Sequence, residues 1–171
     1  SRIMSRTFSF LRSNDLIYQP AIRSYMLGEA PPVFDLLYWN GDSTNLPARM
    51  AVEYLRWLSQ QDRFAQGTYP VDGEPVDPSM VKVPICAIGC ETDHIAAWKA
   101  SFTGIRRYGS KDKTFIMTES GHIAGIVNPP GKDKYGHYTN DAPMSDLTPD
   151  EWLQTATFTK GSWWPRWGDW L

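Results

Sequence analysis

The run Val81-Lys-Val-Pro-Ile-Cys-Ala-Ile-Gly89 constrains this chain more than any other feature. It is short, largely apolar and bounded by polar and glycine residues, the pattern of a strand buried in a parallel sheet. Downstream, Ile95, Trp98 and Phe102 mark an apolar helix face that ends near Gly104. Lys113-Thr-Phe-Ile-Met117 then reads as a second short strand. Thr148-Pro-Asp-Glu151 opens another helix, with Thr148 as its cap and Pro149 in the first turn. Strand, helix, strand, helix predicts a parallel α/β layer over residues 79–171. Two strands are too few for a free-standing sheet, so the remaining strands are expected before Ser1.

Residues 1–78 read as a mainly helical segment, without a convincing strand. Asn14 is placed to cap a helix running to Gly28, with Pro20 kinking or splitting it. After Pro31-Pro32, Val33–Trp39 reads as a short aromatic helix or turn. The loop 41–47 leads into a better helix, in which Met50, Tyr54, Trp57 and Leu58 share one face. Gln66–Pro78, with three prolines and two glycines, marks the boundary between the two regions.

A length of 171 residues suits one domain with a real core, and 42% hydrophobic residues argue against disorder. With 17 basic and 19 acidic residues and no basic stripe, nucleic acid is not an expected partner. No apolar run approaches the roughly 20 residues of a membrane helix. Cys86 and Cys90 lack disulfide or zinc-ribbon spacing and read as free, structural thiols of a reducing cytoplasm. Four of the eight tryptophans fall within Trp163–Trp170, which is read as packing against the core.

The chemistry concentrates just past the two strands. Glu91-Thr-Asp-His-Ile-Ala-Ala-Trp98 places Asp93 after the first strand, and Glu119-Ser-Gly-His-Ile-Ala-Gly-Ile-Val-Asn-Pro-Pro130 places His122 after the second. An acid and a histidine at the C-terminal edge of a parallel sheet lie where ligands bind. Asp93 is placed to accept a hydrogen bond from one ring nitrogen of His122, leaving the other as a base. Gly121 would supply the tight turn that exposes the ring. The plainer alternative makes Asp93 a helix cap and His122 a satisfied loop residue. Acid before histidine is also the chain order of the last two members of an α/β-hydrolase triad. No G-x-S-x-G or cysteine equivalent occurs in the sequence, so the nucleophile is expected outside it. A metal centre from Asp93, His94, His122 and Cys90 lacks helical or C-x-x-C spacing, and none is expected.

Thr7-Phe-Ser-Phe-Leu-Arg12, Asn14-Asp-Leu16 and Phe34-Asp-Leu-Leu-Tyr-Trp-Asn-Gly-Asp-Ser-Thr-Asn-Leu-Pro47 resemble the cap region of polyhydroxyalkanoate synthases. Asp93-His-Ile-Ala-Ala-Trp98, Ser120-Gly-His-Ile-Ala-Gly-Ile-Val-Asn-Pro-Pro130 and Gly161-Ser-Trp-Trp-Pro-Arg-Trp167 resemble the end of that family's catalytic domain. The resemblance is to a class I-like enzyme, with Ala97 standing where many relatives have proline. It implies an α/β fold, with an α/β-hydrolase-like core portion over 79–171 and a helical cap over 1–78. It also implies acyl transfer from 3-hydroxyacyl-coenzyme A to a polyester chain, on a cysteine this chain lacks, so the chain alone should be inert. His122 would be the general base, and Asp93 its partner or the group that helps activate the chain's hydroxyl. His94 and Ala124 would line the substrate path. Coenzyme A enters as the substrate's thioester, with no separate cofactor. A homodimer through the cap and association with cytoplasmic polyester granules are the implied assembly and location.

Overall fold

The computed structural model describes residues 2–30, 44–131 and 134–171. Its contacts divide the chain into two compact units, Ser1–Tyr54 and Leu55–Leu171. The expected aromatic helix at Val33–Trp39 lies outside the described residues.

In the first unit, α1 (Arg2–Leu11) runs almost directly into a second helical stretch over residues 14–26. Ser13 is itself helical, with φ −58° and ψ −34° and no capping bond, so Asn14 lies within the helix rather than starting it. Pro20 does not split it either. π-type turns at Asn14–Tyr18 and Ile22–Met26 flank the α-turn Gln19–Ala21 that holds the proline. Such wide turns accommodate a residue that lacks an N–H and crowds the preceding carbonyls. Gly28, left-handed at φ +68°, stops the helix. A further helix, α2 (Ala48–Glu53), starts after Pro47 and continues as π-type turns through Tyr54–Gln60. Met50 and Tyr54, expected on one apolar face, are both about half exposed.

The second unit begins within those turns, at Leu55, and then holds a hairpin that the sequence pattern does not announce. β1 (Tyr69–Val71) and β2 (Glu74–Val76) pair antiparallel across Asp72 and Gly73, both at positive φ. An Asp-Gly pair in that conformation is the preferred two-residue hairpin turn. Pro70 and Pro75 disguise it, because prolines within a strand are confined to edges.

The main sheet has four strands in the order β3-β4-β5-β6, comprising Ile85–Cys90, Lys113–Thr118, His137–Thr139 and Thr157–Thr159. β3 and β4 are parallel, linked through α3 (Trp98–Ile105) as the sequence predicts. β5 and β6 are antiparallel additions, so the sheet is mixed and its extra strands come from within the chain. The fold class is α/β. Trp98, Phe102 and Ile105 of α3 pack with Phe115 and Met117 of β4, Met144, and Trp152 of α4 (Pro149–Thr155). Ile95, expected on the same face, is 74% exposed instead, because α3 begins only at Trp98. Phe102, Phe115 and Trp152 meet at centroid distances of 5.3–5.7 Å. Removing one such ring costs about 3–5 kcal/mol through reduced burial and the cavity left behind.

α4 is capped as expected. Thr148 Oγ1 accepts from the Glu151 amide, and Glu151 accepts in return from the Thr148 amide at 2.8 Å. The chain ends in α5 (Trp164–Trp170). No helix of the described residues is long and apolar enough to cross a membrane.

Candidate active site

β3 and β4 end level, with Cys90 opposite Thr118. The two loops that follow are stitched together at once, Glu91 N–H donating to Thr118 O at 2.9 Å and Thr92 N–H to Ser120 O at 3.1 Å. Asp93 therefore leaves β3 beside the point where His122 leaves β4. The ring Nδ1 of His122 lies 3.0 Å from Asp93 Oδ1. An ionised carboxylate only accepts, so Nδ1 donates, and in the neutral ring Nε2 is the nitrogen left with a lone pair.

Asp93 does not cap the following helix, which was the plainer alternative: that helix starts from Ala97 without a side-chain cap, and Asp93 instead closes a turn in its own loop. The same Oδ1 accepts from the amides of Ile95 at 2.8 Å and Ala96 at 3.0 Å. These two backbone donors, helped by His122, hold its carboxyl below the usual carboxylate range. The Asp93 side chain is only 5% exposed and that of His122 39%, so the acid sits beneath the base and the base faces outward. Buried acid, oriented ring and free outer nitrogen form an arrangement able to take a proton from a group placed on the open side.

The turn that exposes His122 is made differently from expectation. Ser120, not Gly121, takes the left-handed conformation, at φ +71°. A side-chain-bearing residue held there stores backbone strain of order 1 kcal/mol or more. The glycine that space requires is Gly125. A Cβ there would lie 2.4 Å from Thr118 Oγ1 and 2.6 Å from Glu119 O. Residues 121–127 form a tight helical turn, with Gly125 N–H on Gly121 O at 2.8 Å and Val127 N–H on Ile123 O at 2.9 Å. Glu119 anchors the loop's entry by accepting from Gly136 N–H at 2.6 Å.

Over almost its whole length the chain matches curated bacterial proteins. The poly(3-hydroxyalkanoate) polymerase subunit PhaC of Cupriavidus necator is 44% identical over 170 residues, covering 98% of this chain and 28% of the relative. The subunit of the same name in Rhizobium meliloti is 41% identical over 168 residues, or 98% of this chain and 27% of the relative. Poly(3-hydroxyalkanoate) polymerase 2 of Ectopseudomonas oleovorans is 37% identical over 168 residues, 98% and 30%. The chain belongs to the poly(3-hydroxyalkanoate) polymerase family. It spans under a third of the length of these curated relatives. No protein-family model matches it.

In this polymerase-family chain the remaining predicted residues fall around the pair. His94 is exposed, its ring centroid 5.7 Å from that of His122. Ala124 is half-buried in the His122 loop, two residues past His122. Asp93, His94 and His122 present ligand atoms within 4.8 Å of one another, and among the described residues are the group that could hold a metal ion. Cys90 is not a member of that group; it is buried, with its sulfur 3.5 Å from Thr118 Oγ1. Burial pushes the thiols of both Cys90 and Cys86 up, away from the thiolate form a nucleophile needs.

The tryptophan cluster does more than the core packing assigned to it. Trp163 is buried, and its indole N–H is shared between Gly125 O at 3.1 Å and Ile126 O at 3.2 Å. Trp164 donates to Ile126 O at 2.9 Å. No sequence pattern announces these bonds, since they span 37 and 38 residues.

Proposed function

We propose that this chain supplies the base and acid of a poly(3-hydroxyalkanoate) polymerase, working on a cysteine thiol contributed from outside the sequence. His122 Nε2 takes the thiol proton, and the thiolate attacks the carbonyl carbon of a 3-hydroxyacyl-coenzyme A. The bond from acyl carbon to coenzyme A sulfur breaks, and the departing thiolate recovers the proton from His122. The hydroxyl oxygen of a growing polyester then attacks the acyl carbon, the bond to the cysteine sulfur breaks, and His122 carries the hydroxyl proton to that sulfur. Asp93 fixes the tautomer and offsets the charge of the imidazolium that forms. His94 and Ala124, flanking the base, line the acyl path. Coenzyme A is substrate here rather than cofactor.

The observation that supports this reading is the 3.0 Å Asp93–His122 bond at the level ends of two parallel strands, in a chain with polymerase relatives. The same observation supports an α/β-hydrolase-like core over residues 79–171; that residues 1–78 serve as its cap is proposed from the resemblance alone, and the segment carries the β1–β2 hairpin besides its helices. Dimerisation through that cap, and work at a cytoplasmic polyester granule, complete the proposal.

A chimera tests it, in which this sequence replaces the matching segment of the Cupriavidus necator polymerase. It should release coenzyme A from a 3-hydroxyacyl-coenzyme A and form polyester, while the 171-residue chain alone releases none. Free hydroxy acid without polymer would indicate a hydrolase. Coenzyme A release by the chain alone would overturn the assignment of an external thiol.

A further inference from the structure

The turn that carries His122 ends in a way a helix cannot manage alone. In a helical turn over residues 121–127, the carbonyls of Gly125 and Ile126 would next accept from the amides of residues 129 and 130. Both positions are proline and have no N–H to give. Two backbone acceptors beside the base are thus left without main-chain partners.

The indoles occupy that vacancy. Trp163 Nε1–H reaches both carbonyls and Trp164 Nε1–H reaches the second, at 2.9–3.2 Å. Core filling does not account for the pair, because Trp164 is 37% exposed. Trp163 packs edge-on to Trp164 at 6.4 Å, which holds the two donors side by side. Pro165, in the first turn of α5, follows them directly and fixes the backbone from which both project. A buried indole such as that of Trp163 needs a partner for its N–H in any case, but Trp164 is open to water that could serve and still aims its N–H at the Ile126 carbonyl.

We infer that Trp163 and Trp164 are positioning residues for His122, whose indole N–H groups replace the donors that Pro129 and Pro130 cannot supply. They touch the loop's backbone and not the base. Their effect is to fix where the imidazole stands over Asp93. The inference rests on the reading of His122 as the base, but its structural half is tested without it.

The test uses the 171-residue chain. Trp164→Phe keeps an aromatic ring and removes only the donor; Trp167→Phe is the control. Trp167 packs 6.2 Å from Trp163 and donates no hydrogen bond to the loop among the described residues. Amide hydrogen exchange at Gly125 and Val127 should quicken by about tenfold or more in Trp164→Phe, with β4 and α3 unchanged. The His122 Nδ1 proton resonance should shift or broaden in the same variant. Trp167→Phe should leave both readouts within about twofold of the parent. Trp163→Phe should exceed Trp164→Phe; if that buried variant fails to fold, Trp164→Phe decides alone. Unchanged exchange and an unchanged His122 signal in Trp164→Phe would overturn the inference.

In the chimera, Trp164→Phe should lower kcat by about tenfold with KM nearly constant, as expected when a reacting group is misplaced while substrate binding is intact. Loosened loop amides alongside an active His122→Ala chimera would leave the clamp standing and sink the assignment of the base. An inactive His122→Ala chimera with undisturbed loop amides would do the reverse.

Discussion

Asp93 is fixed by residues two and three places along the chain, whereas His122 is fixed by residues up to 38 places from its own loop. The acid's local device is an oxygen accepting from the amides of Ile95 and Ala96. The base depends on a strained Ser120, on a Gly125 wedged against Thr118 and Glu119, and on two distant indoles. A local turn needs little beyond its own residues. A loop pinned from the far end of the unit is correct only when the unit is folded, and non-local contacts carry the greater ordering cost. The Asp93–His122 bond joins the two, so its integrity is set by the base side.

That comparison can be broken in a graded way. The largest effect is expected from Asp93→Asn in the chimera. The amide oxygen can still accept from Ile95 and Ala96, so the local turn stays while the base loses its anionic partner. Turnover should fall by about 10³–10⁴-fold, as for an acid that sets a histidine tautomer. A loss below tenfold would mean that closing its own turn is the acid's real work.

On the base side, Gly125→Val should lower chimera turnover by about 10²-fold, because the loop must move to clear Thr118 and Glu119. The same overpacking should cost the 171-residue chain about 1–3 kcal/mol in denaturant melts. Gly121→Ala is the contrast. Its added carbon finds nothing closer than 4.0 Å, and the expected change is within about 0.5 kcal/mol. Equal costs at the two glycines would contradict the assignment of the tight spot to Gly125.

Away from both loops, Thr148→Ala should cost about 1 kcal/mol by removing one half of the α4 capping box, and leave His122 signals unmoved. The smallest effect is one of pH. The Asp93 carboxyl is lowered in the folded state by the Ala96 and Ile95 amides and then by His122. Its contribution to stability is therefore complete above the unfolded value of about 3.9 and is lost as pH falls through the lower folded value. Carboxyl carbon NMR of the chain should place its midpoint below that of an unfolded aspartate. A midpoint at or above it would mean the three donors are not engaged.

The parts legible in sequence are those whose causes are local. β3, α3, β4 and the Thr148 cap announce themselves through apolar runs, helical spacing and a capping pair. Asp93 and His122 can be matched because each follows a recognisable strand. β5 and β6 are three residues each, and their pairing depends on partners far along the chain, so no periodicity reveals them. Ser120 escapes notice because serine rarely adopts a left-handed backbone and Gly121 beside it is the ordinary choice. Asn14 misleads because a good capping residue does not cap where the preceding residue is already helical. The indole donors become visible only once residues 163–164 and 125–126 are brought together.

The measurement that bears most directly on the central claim is coenzyme A release by the chimera carrying His122→Ala. A fall of at least about 10³-fold is expected with the circular-dichroism spectrum of the parent, since among the described residues Asp93 hydrogen-bonds no other side-chain base. Near-normal turnover by that folded variant would contradict it.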